Sequence, residues 1–164
     1  MKKLLLMRHA KSDWSTPGQQ DFDRPLNERG VKSARLVGEY IRKHGIRPGL
    51  IISSPARRTR QTIALVMESA HLAAELRYDE RIYEASAERL FAVVSQVEDS
   101  VNDLMLVGHN PGMSELLLAL AGENRHMPTA ALASLSLDIE KWNKFQEQRG
   151  RLEWLIKPKE LSNG

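Results

Sequence analysis

Three short, nearly continuous apolar runs, at residues 3–8, 50–53 and 104–108, punctuate a chain whose intervening stretches carry helical periodicity. A strand with one wet face alternates apolar and polar residues. A run that is apolar throughout suits a strand covered on both faces, as in a parallel sheet. Between the runs, Ala34, Val37 and Ile41 recur at three and four residues, with Asn27 placed as an N-cap and Gly45 as a C-terminal stop. Ile63, Val66, Met67 and Ala70 form a second stripe, and Leu90, Val94 and Val97 a third behind Ser86 as N-cap. A fourth helix is expected from about residue 113 to residue 121, ended by Gly122. A weak strand is expected near residues 76–82, a later one where Ala131, Ala133, Leu135 and Leu137 alternate, and a last one at residues 152–156. Strands alternating with helices in this order predict an α/β fold, a three-layer α/β/α arrangement with a mostly parallel sheet.

With 164 residues and no repeat, low-complexity tract or linker, the chain reads as one domain over 1–164. Its 41% hydrophobic and 5% aromatic residues supply an ordinary core of Leu, Ile, Val and Ala. The 24 basic and 21 acidic residues leave a formal +3, too small an excess to mark a nucleic-acid partner. Lacking cysteine, the chain has no disulfide scaffold, thiolate zinc site or thiol nucleophile, and it fits a reducing compartment. The apolar run before Arg8 is too short for a signal peptide, and the run at 116–121 is too short for a membrane span, so a soluble, cytoplasmic protein with no membrane partner is expected.

In a sheet of this kind ligands bind beyond the carboxyl ends of the strands. After the first apolar run comes Arg8-His9-Ala10-Lys11-Ser12. After the second comes Ser54-Pro55-Ala56-Arg57-Arg58-Thr59-Arg60-Gln61-Thr62. After residues 104–108 comes His109-Asn110-Pro111-Gly112. Any one of these is weak; together they bring two histidines and several arginines to one sheet edge. Arginine is charged at all working pH values and pairs bidentately with phosphate oxygens. The helix N-termini after Ser54-Pro55 and after Pro111-Gly112 would add backbone donors. A histidine kept neutral by surrounding cations could attack phosphorus and carry the group covalently. The residue types therefore point to phosphoryl transfer.

These motifs, joined by Arg24-Pro25-Leu26 with Gly30 and by Gln61-Thr62 after Arg58, resemble the histidine phosphatase superfamily, the group with phosphoglycerate mutases and acid phosphatases. Within it the chain looks most like the short SixA-type phosphohistidine phosphatases, from residue 4 to about residue 137. The resemblance implies a phosphoglycerate mutase-like fold. It makes His9 the nucleophile, Arg8 and Arg58 the grip on the phosphoryl oxygens, His109 the residue completing the pocket, and Arg24 an additional arginine near the phosphate. Helical spacing does not separate Arg57 from Arg58; the family register of Arg, two residues, then Gln-Thr selects Arg58. Glu84 falls where the superfamily often places a carboxylate that protonates the leaving group, with Glu80 as competitor and a mechanism without either as the third option. Ala10 stands where the superfamily's best-known motif has glycine, which matters only if that position needs an unusual φ.

Simpler roles compete with several of these. Arg24 equally fits a loop salt bridge with Asp21 or Asp23, and Trp14 either a pocket wall or a loop anchor. Arg57 and Arg60 read as a solvated face, His44 and His71 as helix C-terminal residues, and Met7 and Met67 as core. His126 receives no role. No ligand spacing supports a metal site, and no cofactor is expected. The partner expected is a phosphohistidine-bearing protein. The alternatives are a small phosphomonoester, or a non-catalytic module that merely binds a phosphorylated partner. Short gaps between motifs leave no room for the cap that metabolite phosphatases and mutases carry, and a pure binder needs no nucleophile.

Overall fold

The structure, a computed structural model, describes residues 1–161, so residues 162–164 of the expected 1–164 domain lie outside the described residues. Six strands form one sheet: β1 (Lys2–Arg8), β2 (Leu50–Ser53), β3 (Glu75–Tyr78), β4 (Asp103–Gly108), β5 (Leu132–Leu137) and β6 (Gly150–Ile156). Their order is β3-β2-β4-β1-β5-β6. β1, β2, β3 and β4 run parallel, and β5 and β6 close one edge antiparallel. Helices α1 (Glu28–Lys43), α2 (Arg57–Ala70), α3 (Ala87–Ser95) and α4 (Gly112–Ala121) are the long connections, and α5 (Pro158–Leu161) is a single turn.

The unbroken apolar runs are explained by the two cores. Successive side chains of a strand point to opposite faces. Leu4 and Leu6 of β1, with Leu104 and Leu106 of β4, pack on Leu90 and Val94 of α3 and Leu116, Leu117 and Leu120 of α4. Leu5, Met7, Met105 and Val107 pack on the other side against Ala34, Val37 and Ile41 of α1 and Ile63 and Val66 of α2. Truncating one such leucine to alanine costs about 2–5 kcal/mol. The three-layer α/β architecture is as the periodicity predicts.

Helix limits follow local chemistry. The Asn27 side chain accepts from the Gly30 amide at 2.8 Å, and the Ser86 hydroxyl from the Arg89 amide at 3.2 Å, so both N-caps stand as expected. Gly45 (φ 63°) and Gly122 (φ 70°) end α1 and α4 in the left-handed region. The last strand begins at Gly150, two residues before the expected start, and two other boundaries differ as well. The weak strand stops at Tyr78, because the Asp79 carboxylate accepts from the Arg81 amide at 2.9 Å and turns residues 80–82 into a 3-10 helix. Val97 lies beyond the end of α3 yet remains buried. β5, expected to be buried on one face, is buried on both, with Leu132 in the α1/α2 core.

Candidate active site

Parallel register sets the site. Arg8 of β1 is paired with Gly108 of β4, and Ser53 of β2 with Val107. The residues that follow, His9, His109 and Ser54, therefore leave the sheet side by side. The backbone continues the ladder there: His9 N–H donates to Gly108 O at 2.9 Å and Ser54 N–H to Val107 O at 3.0 Å. Beyond this edge lies a cavity of about 770 Å³, lined by Arg8, His9, Arg24, Arg58, Glu84 and His109 together with Lys11, Ser12, Trp14, Asp21 and Asn110 among others.

The motif residues that do not line the cavity hold those that do. Ala10 N–H donates to the Thr62 hydroxyl at 3.0 Å, and that hydroxyl donates to the Arg58 carbonyl at 2.6 Å. Leu26 N–H donates to the Gln61 amide oxygen at 2.8 Å. Gln61 and Thr62 thus tie both loops to the first turns of α2, which carries Arg58 inward while Arg57 and Arg60 face solvent. Residues 11–13 and 25–27 are zipped together by Asn27 N–H to Lys11 O (3.0 Å) and Asp13 N–H to Pro25 O (2.8 Å), which brings Arg24 to the cavity. Gly30 permits this approach, since a Cβ there would run into the Lys11 carbonyl. Ala10 has no left-handed φ, its side chain is fully buried and its amide is spent on Thr62. Position 10 needs a small side chain, not glycine's freedom.

Both histidines are buried, with ring centroids 5.1 Å apart and planes tilted by 52°. His9 Nδ1 sits 2.7 Å from its neighbour's carbonyl, Ala10 O. Only a protonated Nδ1 can donate there, so the neutral ring leaves its lone pair on Nε2, which Arg58 Nε–H faces at 3.4 Å. For His109 the tautomer is reversed: Nδ1 accepts from Arg58 at 3.2 Å and Nε2–H donates to the Ser54 hydroxyl at 2.7 Å. Burial lowers the pKa of His9 to about 4, aided by Arg58, Arg8 and Arg24 and partly opposed by the Ala10 carbonyl. Burial also lowers His109, to about 3, with the charges of His9 and Arg58 adding to it.

Arg24 makes the loop salt bridge, pairing with Asp21 at 2.9 Å and 3.1 Å, and it also lines the cavity, donating to the Ser12 hydroxyl at 2.6 Å. Trp14, 77% exposed, lies 3.3 Å above the Arg24 guanidinium and forms the rim. Arg8 donates to the Met127 carbonyl at 3.1 Å, while its buried Nε meets no acceptor among the described residues. Of the two carboxylates considered as proton donor, Glu84 is on the cavity wall and Glu80 is not.

Asp21 has a larger part than the loop salt bridge considered for it. Its Oδ2 accepts from Arg58 at 3.0 Å and from the Tyr83 hydroxyl at 2.6 Å, while Oδ1 takes Arg24. Burial works to raise this carboxyl, but hydrogen bonds from Tyr83, Arg24 and Arg58 outweigh it and hold the group well below the usual carboxylate range. Burial, then the Asp21 hydrogen bond, pushes Tyr83 up to about 12. At α4 part of the expected set of backbone donors is used within the turn itself. The Met113 amide is spent on His109 O (3.0 Å) and the Ser114 amide on the Asn110 side chain (3.1 Å), so these first-turn donors do not reach the cavity.

The chain matches the family model of the histidine phosphatase superfamily (branch 1) over residues 4–92, the segment carrying His9, Arg24, Arg58 and Glu84. It belongs to that superfamily. An uncharacterized Mycobacterium tuberculosis protein is 38% identical over 115 residues, 70% of each chain. A crystal structure from Agrobacterium tumefaciens, provisionally named the phosphohistidine phosphatase SixA, is 34% identical at TM-score 0.83, covering 96% of this chain and 98% of that one. A protein histidine phosphatase SixA complexed with tungstate, 22% identical, shares the fold at TM-score 0.84 over 98% of this chain and 99% of that one. The phosphoglycerate mutase-like architecture expected from the motifs is thereby established, and superfamily membership supports a phosphatase.

Among the described residues no helix is long and apolar enough to cross a membrane, and no group of three or more His, Cys, Asp and Glu stands close enough to hold a metal.

Proposed function

We propose that the protein is a phosphatase of phosphohistidine on proteins, acting through a covalent phospho-His9 intermediate. The observation that carries this reading is a neutral His9 whose proton is committed to the Ala10 carbonyl and whose Nε2 lone pair looks onto Arg58 at the cavity floor. In the first step Nε2 attacks phosphorus and a P–Nε2 bond forms as the P–N bond to the substrate breaks; its electron pair stays on the substrate nitrogen, and the substrate ring, protonated at its other nitrogen, leaves as neutral imidazole. The His9 ring becomes cationic as it gains phosphorus, and the Nδ1–H bond to the carbonyl strengthens to support that charge. In the second step water attacks phosphorus, the P–Nε2 bond breaks, and phosphate departs with His9 neutral again. Arg58, Arg8 and Arg24 face the charge on the phosphoryl oxygens, and the buried Arg8 Nε finds in them the acceptor that the protein does not provide. His109, already bonded to Arg58, completes the clamp.

A substrate carried on a protein is supported by the exposed Trp14 rim and by the 34% identity, over nearly the whole chain, to the structure provisionally named as a phosphohistidine phosphatase. Absence of cysteine supports work in the reducing cytoplasm. One observation favours a small phosphomonoester instead: Glu84 on the cavity wall is placed to protonate an alkoxide leaving group. The test compares turnover of a phosphohistidine protein with that of sugar phosphates, and traps the enzyme with labelled phosphodonor. An acid-labile, alkali-stable label that disappears in His9→Ala is the expected result. Phosphate binding with no label in the parent would make the protein a binding module, and faster turnover of the esters would make it a metabolite phosphatase.

A further inference from the structure

Beside the candidate active-site cavity runs a second groove, of about 630 Å³, lined by Lys11, Arg29, Lys32, Lys157 and Lys159 with His126 at one side, and, among the described residues, by no carboxylate. Lys11 and Thr129 line both spaces, so the groove adjoins the cavity. Among the described residues, Lys11, Arg29, Lys32 and Lys157 take part in no ion pair. A chain of formal charge only +3 thus concentrates five of its cations in one groove at the edge of its active site.

We propose that this groove receives an acidic segment of the protein substrate, the residues flanking the phosphorylated side chain. The inference rests on the proposed reading of the cavity and adds a sequence preference to it. Three observations point to carboxylates. The cavity is built on arginines, whose planar forks match a phosphoryl group, whereas four of the five groove cations are lysines, mobile point charges that suit scattered carboxylates. No Trp, Tyr or Phe lines the groove, which removes the stacking platform a single-stranded nucleic acid would use. The wall between the two spaces is shared: His126 and Pro128 face the groove, while the Met127 carbonyl between them accepts from Arg8 at 3.1 Å and from Asn110 at 3.0 Å. A segment seated in the groove would press on the strip of backbone that fixes Arg8.

The test separates docking from turnover. Two fluorescein-labelled peptides of equal length, with histidine flanked by glutamates or by glutamines, are titrated with the protein at low salt and followed by anisotropy. Both are then phosphorylated chemically and their hydrolysis measured. The acidic peptide is expected to bind roughly tenfold more tightly, the equivalent of a few exposed ion pairs. Lys32→Glu/Lys157→Glu should abolish the difference while hydrolysis of free phosphoimidazole stays at the parent rate. Equal affinity of the two peptides for the parent, or a preference that survives the double reversal, overturns the proposal. So does an RNA oligomer of equal charge that binds at least as tightly as the acidic peptide. If acidic binding is confirmed and neither phosphopeptide is hydrolysed, the groove stands and the phosphohistidine reading of the cavity fails. Hydrolysis of both at one rate with equal binding has the opposite meaning.

Discussion

His9 and His109 face each other across 5.1 Å because the residues immediately before them, Arg8 and Gly108, are register partners on adjacent parallel strands. A one-residue slip between β1 and β4 would turn one imidazole to the opposite face of the sheet. The apolar runs packed on both sides of these strands forbid that slip, so the core and the geometry of the candidate site are specified by the same side chains.

The pH response follows from that burial. With pKa values lowered to about 4 and about 3, both rings are neutral through the physiological range. The His9 contribution to kcat/KM should stay level through neutrality and decline only as the pH approaches about 4. Stability has the matching sign. Unfolded histidines bind protons below about 6.5 while the folded rings do not, so stability is lost as the pH falls from there toward the folded values, by up to about 3–5 kcal/mol per ring. Urea unfolding at a series of pH values checks this, and His9→Asn should remove part of the slope. An acid limb in kcat/KM centred near 6.5 would contradict the buried, neutral pair.

Arg58→Ala should cost about 2–4 kcal/mol of transition-state stabilisation, the loss of one preorganised donor to a developing anion. Arg58 is also bonded to His9, His109 and Asp21, so Arg58→Lys, a point charge without the fork, should restore little. Steady-state kcat/KM within a few-fold of the parent would take Arg58 out of the site.

Asp21→Asn should act on affinity and stability in opposite directions. The carboxylate stands among Arg24 and Arg58 as their counter-anion, and removing its charge frees both for a ligand. Inorganic phosphate should inhibit more tightly in the variant. The fold should lose about 1–2 kcal/mol, a figure discounted from buried ion pairs because Asp21 is 40% exposed at its side chain. Product inhibition and thermal unfolding read the two effects separately.

Much of this site is legible in the sequence, and the part that is not has a physical reason. Strand-end placement depends only on where apolar runs stop, which is why His9, His109 and the Arg57-Arg58 pair can be located at one edge without coordinates. Spacing alone cannot say which of that pair turns inward; the outcome depends on Gln61 and Thr62 gripping Leu26 and Ala10. Asp21 and Asp23 are the two ends of a single 3-10 turn, and nothing local in the sequence distinguishes them. The significance of Asp21 comes from Arg58 and Tyr83, residues 37 and 62 positions away. β3 carries the weakest strand signature because it is an edge strand, half-exposed and lacking the apolar run of its neighbours.

Thr62→Val tests whether the motif threonine is structural support for the nucleophile. The hydroxyl is the acceptor for the buried Ala10 amide, whose own carbonyl holds the His9 ring. Leaving that amide unpaired should destabilise the fold by about 1–3 kcal/mol. Thr62→Ser keeps the hydroxyl and should retain most of the stability. If denaturant midpoints of the two variants coincide, the hydrogen bond contributes nothing.

Glu84→Gln bears on the choice between substrate classes, since the two leaving groups make different demands on an acid. A phosphorylated imidazole that carries a proton on its other ring nitrogen leaves as neutral imidazole, a weak base whose conjugate acid has an ordinary pKa near 6.5. An alkoxide leaves only with a proton delivered in the transition state, assistance worth about 10²–10⁴-fold. Glu84 is exposed on the cavity wall, where it can exchange protons with solvent between turnovers. For a phosphohistidine phosphatase, Glu84→Gln should change turnover of a phosphohistidine peptide by no more than a few-fold while suppressing whatever activity exists on sugar phosphates. Equal, large losses on both would make Glu84 a general acid for N–P cleavage as well, and unchanged rates on both would remove it from the mechanism.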